Sequence, residues 1–172
     1  GRASGEVDHG HHAGFSLEAF RAIGGYDETF SHNEDAEYDT RLRQSGGHLY
    51  LDADIRLSYL PRATVGVLAR QYFNYGKGRA RTLMKHGERP KLRQLIPPAT
   101  LAACVAGLAI APFSLWGLAL PGGYLAALVA ASVMVAMKHK SACGLLAGLA
   151  SATMHMSWSL GLIRQLLKGQ RA

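Results

Sequence analysis

The chain has 172 residues, of which 48% are hydrophobic and 18% charged, and its formal net charge is +7. All 12 acidic residues precede Pro90, so the average conceals an acidic first part, a basic middle and an apolar last part. This distribution argues against a nucleic-acid-binding domain. The cations adjoin an apolar segment that is suited to a membrane, so lipid phosphates at the membrane surface are nearer anions than those of a nucleic acid.

Two helices are predicted in the acidic part. Ser16 is a typical N-cap residue and predicts a short helix over 17–23, which a pair of glycines ends. Asn33 is suited to cap a second helix, because its side-chain oxygen can accept from backbone N–H groups of the first turn. Gly46-Gly47 is suited to end that helix.

Two short strands are predicted after the second helix, over 48–51 and 55–60. Two helices and two strands bury too little apolar surface for a self-sufficient core. We therefore expect the remaining strands of an α/β sheet upstream of this chain.

Carboxylates are concentrated in the first turn of the second predicted helix. Glu37 and Asp39 each have an arginine four residues later, the spacing of ordinary surface ion pairs. Glu34 and Asp35 have no such partner. Acidic residues also suit the positive end of a helix dipole, so this surplus is compatible with a merely structural role.

The basic middle part begins with an amphipathic segment predicted over 64–75. Between positions 70 and 93, eight cations are opposed only by Glu88. The organisation predicted from these changes is a soluble portion over 1–63, a basic juxtamembrane segment over 64–94 and a transmembrane region over 95–172.

Three transmembrane spans are predicted, at about 95–117, 118–137 and 142–163, with a break at Pro121-Gly122-Gly123. The positive-inside rule places the basic segment and the Lys138–Lys140 loop on the cytoplasmic side. If the last segment also crosses the membrane, its C-terminal cations lie on the outer side, which the rule disfavours. Either this violation is tolerated, or the segment is re-entrant or interfacial.

The last predicted span carries a packing signal. Gly144 and Gly148 are four residues apart, which presents a small-residue face to a neighbouring helix. Cys104 and Cys143 lie in or beside apolar segments and are interpreted as packing residues rather than as a disulfide framework.

The order of these elements resembles family 2 glycosyltransferases, most nearly the membrane-bound bacterial succinoglycan-biosynthesis (ExoA-like) type. The motifs that carry the resemblance are Gly-Gly-Tyr-Asp-Glu at 24–28, Asn-Glu-Asp at 33–35, Arg-Leu-Arg at 41–43 and Gly-Gly at 46–47. The resemblance covers the whole chain but only the carboxyl-terminal half of such enzymes. It implies an α/β fold, namely a partial GT-A-like (nucleotide-diphospho-sugar transferase) domain without its N-terminal half, followed by about three transmembrane helices.

The resemblance also implies a function. An inverting transferase of this type moves a sugar from a nucleotide sugar, here a UDP-sugar, to a lipid-linked or polysaccharide acceptor in exopolysaccharide biosynthesis. Asp35 matches the general base and Glu34 supports it. The implied location is the bacterial cytoplasmic (inner) membrane, multi-pass, with the catalytic part cytoplasmic. Without the donor-binding half, this chain alone is expected to be inactive.

A second motif of the family, Gln-x-x-Arg-Trp, meets the acceptor and diphosphate near the membrane. Gln71 matches its first residue, whereas Asn74 and Tyr75 replace the arginine and tryptophan. Tyr75 keeps an aromatic wall. The nearby cations are candidates for the missing phosphate contact, or for contact with membrane lipids; they are Lys77, Arg79 and Arg81.

The metal-binding Asp-x-Asp motif of the family has no counterpart in the expected place. Asp52-Ala53-Asp54 follows Asp35 and is interpreted as a turn, so the divalent metal (Mg or Mn) is expected on ligands upstream of this chain. The run 8–12, Asp-His-Gly-His-His, admits three interpretations: an acceptor-side lining by His9, His11 or His12, an adventitious metal site, or a plain loop.

A non-enzymatic alternative remains open from the sequence. In it, the chain is a membrane-anchored basic module that binds anionic lipid or a partner protein, and the acidic cluster is only a solvated face. The two hypotheses differ in what the DNA immediately upstream should encode: a βαβ region with Asp-x-Asp in the same frame under the first, and nothing of the kind under the second.

Overall fold

The structure is a computed structural model, and it describes residues 4–10, 14–56, 58, 60 and 62–169. It is 69% helix and 2% strand. The sheet has two strands, β1 (Gly5–Glu6) and β2 (Tyr50–Leu51), paired antiparallel with Gly5 opposite Leu51. The predicted α/β, GT-A-like fold class is therefore wrong for this chain, which is predominantly helical.

The chain divides into two compact units, Gly1–Pro61 and Arg62–Ala172. The first unit contains the two-stranded sheet and two helices, α1 (Leu17–Ala22) and α2 (Glu34–Gln44). The second unit contains four long helices: α3 (Val65–His86), α4 (Leu92–Ile110), α5 (Ala119–His139) and α6 (Ala147–Lys168).

Local sequence signals explain the two helices of the first unit. The Ser16 side chain accepts a hydrogen bond from the Ala19 backbone, which caps α1 as predicted. Gly46 adopts a positive φ of 86° directly after α2, so the predicted helix end is also confirmed.

The core of the first unit lies between α2, α1 and the residues that adjoin the two strands. Tyr38, Leu42 and Leu49 form its buried centre, and partly buried apolar residues pack around it: Val7, Phe15, Ala19, Phe20 and Ile23. Helix α2 is therefore buried on several sides, and Glu37, Asp39 and Thr40 are also buried. Buried carboxylates require partners, and both of these have them.

Two local predictions in this unit are wrong. Asn33 adopts the left-handed conformation (φ 68°) and makes no side-chain capping bond, although its carbonyl accepts from the Glu37 amide. The strand predicted over 55–60 is absent at the described positions 55, 56, 58 and 60, and the strand predicted over 48–51 is limited to its last two residues. Strand pairing requires a partner edge, which periodicity alone does not supply.

Glu37 and Arg41 form the ion pair expected from their spacing, but it is buried rather than solvated. Arg41 Nε donates to the Glu37 carboxylate at 2.9 and 3.1 Å. The same guanidinium donates to the Ile23 and Gly25 carbonyl oxygens, each at 2.6 Å. The pair therefore fixes α2 to the chain that follows α1.

We predict that Glu37→Gln strongly destabilises the first unit, because it leaves the Arg41 charge without its carboxylate. Breaking a buried pair by removing one partner costs about 3–5 kcal/mol. Glu28→Gln is the matched control, since Glu28 is exposed and should change stability by less than about 0.5 kcal/mol. Urea unfolding of the protein measures both, and equal midpoints would contradict the prediction.

Helix α3 extends beyond position 75, the last residue of the predicted amphipathic segment, and continues through Gly76 and Gly78. The Thr64 side chain caps its start, and Gly87 ends it with a positive φ of 63°. A Cβ on Gly76 would overlap the Trp158 carbonyl oxygen, and one on Gly161 would overlap the Phe73 carbonyl oxygen. These glycines are therefore where α3 and α6 cross in backbone contact, which accounts for glycine within long helices.

Within the described residues, two helical segments are long and apolar enough to cross a membrane, Leu92–Ile110 and Leu115–His139. Only 6% of the residues in each apolar window are buried, and the others are exposed or partly exposed. A core helix of a soluble protein would be mostly buried, whereas lipid accounts for exposed apolar helices. Three spans were predicted, but in the described part of the chain only these two segments meet the length and hydropathy needed for a span. The third predicted span, which corresponds to α6, does not.

The turn between the two candidate spans lies earlier than predicted. The chain turns at 111–114, and α5 runs through Pro121-Gly122-Gly123. Proline is tolerated in the first turn of a helix, because the amide that it lacks has no partner there in any case. A Cβ on Gly107 would lie 2.5 Å from the Gly117 carbonyl oxygen, so the two segments approach closely as a hairpin.

The predicted small-residue face at the start of the last helix is confirmed. Added Cβ atoms on Gly144 and Gly148 would overlap backbone atoms of α5. The Gly148 amide also donates to Ser132 Oγ at 2.7 Å, and this hydroxyl donates to the Leu128 carbonyl. Close backbone approach and a polar bridge therefore join α5 to this part of the chain.

Candidate active site

Asp35 lies in the first turn of α2, where its carboxylate is partly accessible. Its side chain is 39% exposed, and Oδ1 accepts a 2.7 Å hydrogen bond from the Ala36 amide. Glu34 precedes it and is half-buried. A carboxylate at this end of a helix is stabilised by the helix dipole and remains open to a reactant.

The imidazole of His9 lies between Asp35 and Asp39. Its Nε2 is 3.7 Å from Asp35 Oδ2, and its Nδ1 is 2.5 Å from Asp39 Oδ2. The Gly10 amide donates to the same Asp39 oxygen at 3.0 Å. Asp39 is 1% exposed and His9 is 23% exposed. The buried Asp39 carboxylate therefore holds the ring through Nδ1, and Nε2 faces the more accessible Asp35 carboxylate.

This arrangement corrects the expected pairing of Asp39 with Arg43. Arg43 instead has Asp8 within 3.8 Å, and Asp39 turns toward the segment that follows β1. The ladder between β1 and β2 and the Val7 amide bond to the Leu49 carbonyl hold that segment beside α2. Asp39 is therefore paired with His9, which is distant in the chain, instead of with the nearby Arg43.

Aromatic rings lie next to this cluster. Tyr26 packs edge-on against Phe20 and Tyr38, with centroids 5.4 Å apart in both pairs, and is itself 41% exposed. Burial raises the pKa of the Tyr26 hydroxyl, and the nearby carboxylates of Asp35, Asp39 and Glu34 raise it further. The phenol is thus neutral and presents an accessible ring beside the carboxylates.

Sequence reasoning missed Asp39 and Tyr26 as members of this site, and named His9 only as one of three possible lining residues in the run 8–12. The signal for Tyr26 was its place in the Gly-Gly-Tyr-Asp-Glu motif. Nothing local indicates the contact of Asp39, because His9 lies 30 positions earlier in the chain. The other predicted lining residues, His11 and His12, lie outside the described residues.

The substrate-binding residues predicted in the second unit all lie on α3, on two different faces. Gln71, Tyr75 and Arg79 recur every four residues and share one face. Lys77 and Arg81 share another, since two residues of helix correspond to about 200° of rotation. The three cations therefore do not form one cluster along this helix.

Gln71 and Tyr75 are in direct contact. Gln71 Nε2 donates to the Tyr75 hydroxyl at 2.7 Å, and Arg62 Nε donates to Gln71 Oε1 at 3.3 Å. Tyr75 also packs edge-on against Tyr72, with centroids 5.6 Å apart, and is 37% exposed. This end of α3 thus presents an ordered polar and aromatic patch.

The segment Asp52-Ala53-Asp54 forms the turn predicted for it, because Asp52 Oδ1 accepts from the Asp54 amide at 2.9 Å. Among the residues that the structure describes, no group of three or more histidine, cysteine or acidic side chains is placed to hold a metal ion. The described residues therefore do not supply the metal site that the resemblance implies.

The chain is similar over almost its whole length to a bacterial polysaccharide-biosynthesis protein. That relative is the succinoglycan biosynthesis protein ExoA of Rhizobium meliloti (strain 1021), which is 41% identical over 172 residues. The alignment covers 96% of this chain and 50% of ExoA, so the chain spans about half the length of this curated relative. The resemblance to the ExoA-like type is therefore confirmed.

The other comparisons add no further relationship. No protein-family profile matches the chain. No solved structure matches it significantly.

Proposed function

We propose that this chain is the acceptor-side and membrane-anchoring part of an inverting glycosyltransferase of exopolysaccharide biosynthesis. The donor is a nucleotide sugar of the UDP-sugar class, and the acceptor is a lipid-linked or growing polysaccharide chain. The observation that carries the proposal is the accessible Asp35 carboxylate, faced by a histidine that a buried aspartate anchors. The similarity to half of a succinoglycan biosynthesis protein supports the substrate class.

In this proposal Asp35 is the general base. The acceptor hydroxyl loses its proton to Asp35 as its oxygen bonds to the anomeric carbon, and the diphosphate leaves with the electron pair of the broken bond. A positioned carboxylate contributes roughly 10²- to 10⁴-fold to such a step. Glu34 adds negative charge beside the base. The exposed ring of Tyr26 supplies an apolar face against which a sugar can pack.

The second unit contributes acceptor contacts and the membrane anchor. Tyr75 and Gln71 offer an aromatic ring and an amide to a sugar or lipid headgroup. Arg79, Lys77 and Arg81 are proposed to bind phosphate groups. A divalent cation, Mg²⁺ or Mn²⁺, belongs to the proposal only as a charge on the donor diphosphate, with ligands from outside the described residues.

Gene deletion in the source bacterium tests the proposal. Loss of the protein should abolish a secreted polysaccharide and accumulate a lipid-linked saccharide one sugar shorter than normal, and reintroducing the complete gene should reverse both effects. Mass spectrometry of extracted lipid-linked saccharides measures this. Unchanged polysaccharide together with an unchanged saccharide ladder would exclude the proposed function.

The proposed location is the cytoplasmic membrane, with the ends of the α4–α5 hairpin on the cytoplasmic side. Both ends are basic: Arg89, Lys91 and Arg93 surround the start of α4, and Lys138 and Lys140 end α5. A hairpin brings its two ends to the same side of a bilayer, and positive residues favour the cytoplasm.

Thiol labelling tests this topology as a specific prediction. Cys143 is exposed and follows the Lys138–Lys140 turn closely. In a Cys104→Ser background it should react with a membrane-impermeant maleimide in inside-out vesicles but not in right-side-out vesicles. The matched control is Phe113→Cys in a background without native cysteines, which should show the opposite pattern. Labelling of both sites from the same side would contradict the hairpin topology.

A further inference from the structure

We propose that His9, anchored by Asp39, is a positioning residue that receives the proton which Asp35 removes from the acceptor. This inference rests on the proposed function and extends it, because it gives a role to two residues outside the Asn-Glu-Asp motif. It is carried by three observations: the orientation of the His9 ring, the burial of Asp39, and the accessibility of Asp35.

The Asp39 carboxylate determines which nitrogen of His9 faces Asp35. A carboxylate only accepts hydrogen bonds, so His9 Nδ1 must be the donor in the 2.5 Å contact with Asp39 Oδ2. The Gly10 amide donates to that same oxygen and fixes it further. In the neutral ring, Nε2 is then unprotonated and turned toward Asp35.

Asp39 has a second feature that bears on the ring: its Oδ1 is buried and has no hydrogen-bond partner among the described residues. The negative charge of this carboxylate therefore lies beside His9, and an imidazolium there gains an ion pair that a neutral ring lacks. Since Nδ1 is engaged by Asp39, Nε2 is the His9 nitrogen to which Asp35 can pass a proton.

The proton balance of the step is complete without an additional reactant. The acceptor O–H bond breaks, its proton moves to Asp35, and it passes from Asp35 Oδ2 to His9 Nε2. The resulting imidazolium lies between two carboxylates and returns the proton to solvent through its exposed edge. The Nε2 to Oδ2 distance of 3.7 Å is longer than a hydrogen bond, so the transfer requires the two side chains to approach each other.

Matched histidine substitutions in the complete protein test this inference. The amide nitrogen of His9→Asn can replace Nδ1 in the bond to Asp39, but the variant has no Nε2. We expect its kcat to fall roughly 10- to 100-fold, toward the lower end of what a proton-transfer group contributes, with the donor KM unchanged. Turnover is measured as transfer from radiolabelled UDP-glucose or UDP-galactose to extracted lipid-linked saccharide.

Two further variants make the outcome decisive. Added imidazole should restore part of the activity of His9→Ala and none to His48→Ala, whose wild-type ring is exposed and should need no rescue. Normal kcat in His9→Asn, or failure of imidazole to restore a folded His9→Ala, would overturn the inference. If His9→Ala does not fold, His9→Asn alone decides. Full turnover by Asp35→Asn would instead overturn the proposed function itself.

Discussion

Asp35→Asn should reduce sugar transfer by roughly 10²- to 10⁴-fold, because asparagine retains the shape of the base but cannot take a proton. The Ala36 amide bond to Oδ1 can persist, since the asparagine side chain also has an acceptor oxygen. Donor affinity should therefore remain near the wild-type value. Steady-state transfer and equilibrium binding of a UDP-hexose to the complete protein separate the two effects.

Glu34→Gln is the matched control for this prediction. It removes a carboxylate one residue away and lowers the local negative charge by the same amount. A small change in kcat for Glu34→Gln, with a large loss for Asp35→Asn, would identify Asp35 as the group that takes the proton from the acceptor. Equal losses in both variants would mean that net charge, rather than a specific base, is what turnover requires.

Gly161→Leu should strongly destabilise the second unit. Even a Cβ at this position would overlap the Phe73 carbonyl oxygen, and a backbone atom can yield only if α3 moves away from α6. Overpacking of a close contact typically costs about 1–3 kcal/mol, and a side chain between two backbones lies at the upper end. Thermal unfolding in detergent, followed by fluorescence of Trp158 at the same crossing, measures the loss.

Gly123→Ala provides a control of opposite sign. Gly123 lies within α5, and a Cβ there would have nothing within 4 Å. Alanine in a helix is favoured over glycine by up to about 1 kcal/mol, so this variant should unfold at the same temperature or higher. If Gly161→Leu unfolds no earlier than Gly123→Ala, the close α3–α6 crossing does not exist in the protein.

Rules that act over a few residues predicted much of the local structure. The serine cap at Ser16, the glycine end at Gly46 and the Asp52–Asp54 turn each depend on contacts within about four positions. The resemblance to the ExoA-like type came from short motifs of the same kind, and the comparison with ExoA confirmed it.

What sequence reasoning missed depends on contacts between distant positions. The strand pairing of Gly5–Glu6 with Tyr50–Leu51 brings the His9 segment beside α2, and no local signal specifies that pairing. Asp39 was therefore assigned to its i+4 arginine instead of to His9. Similarly, the crossing with α6 is what requires glycine at position 76, and no local signal indicates that contact. The α/β expectation failed because the described chain forms only two short strands.

The configuration of the product is the most direct test that Asp35 activates an acceptor for inverting transfer. The complete protein should add one hexose from an α-linked UDP-hexose to a lipid-linked saccharide, taken from membranes of a strain that lacks the protein. NMR of the released saccharide should show a new β-linkage, which is absent when Asp35→Asn replaces the wild type. An α-linkage, or the same β-linked product at the same rate from Asp35→Asn, would contradict the assignment of Asp35 as the base.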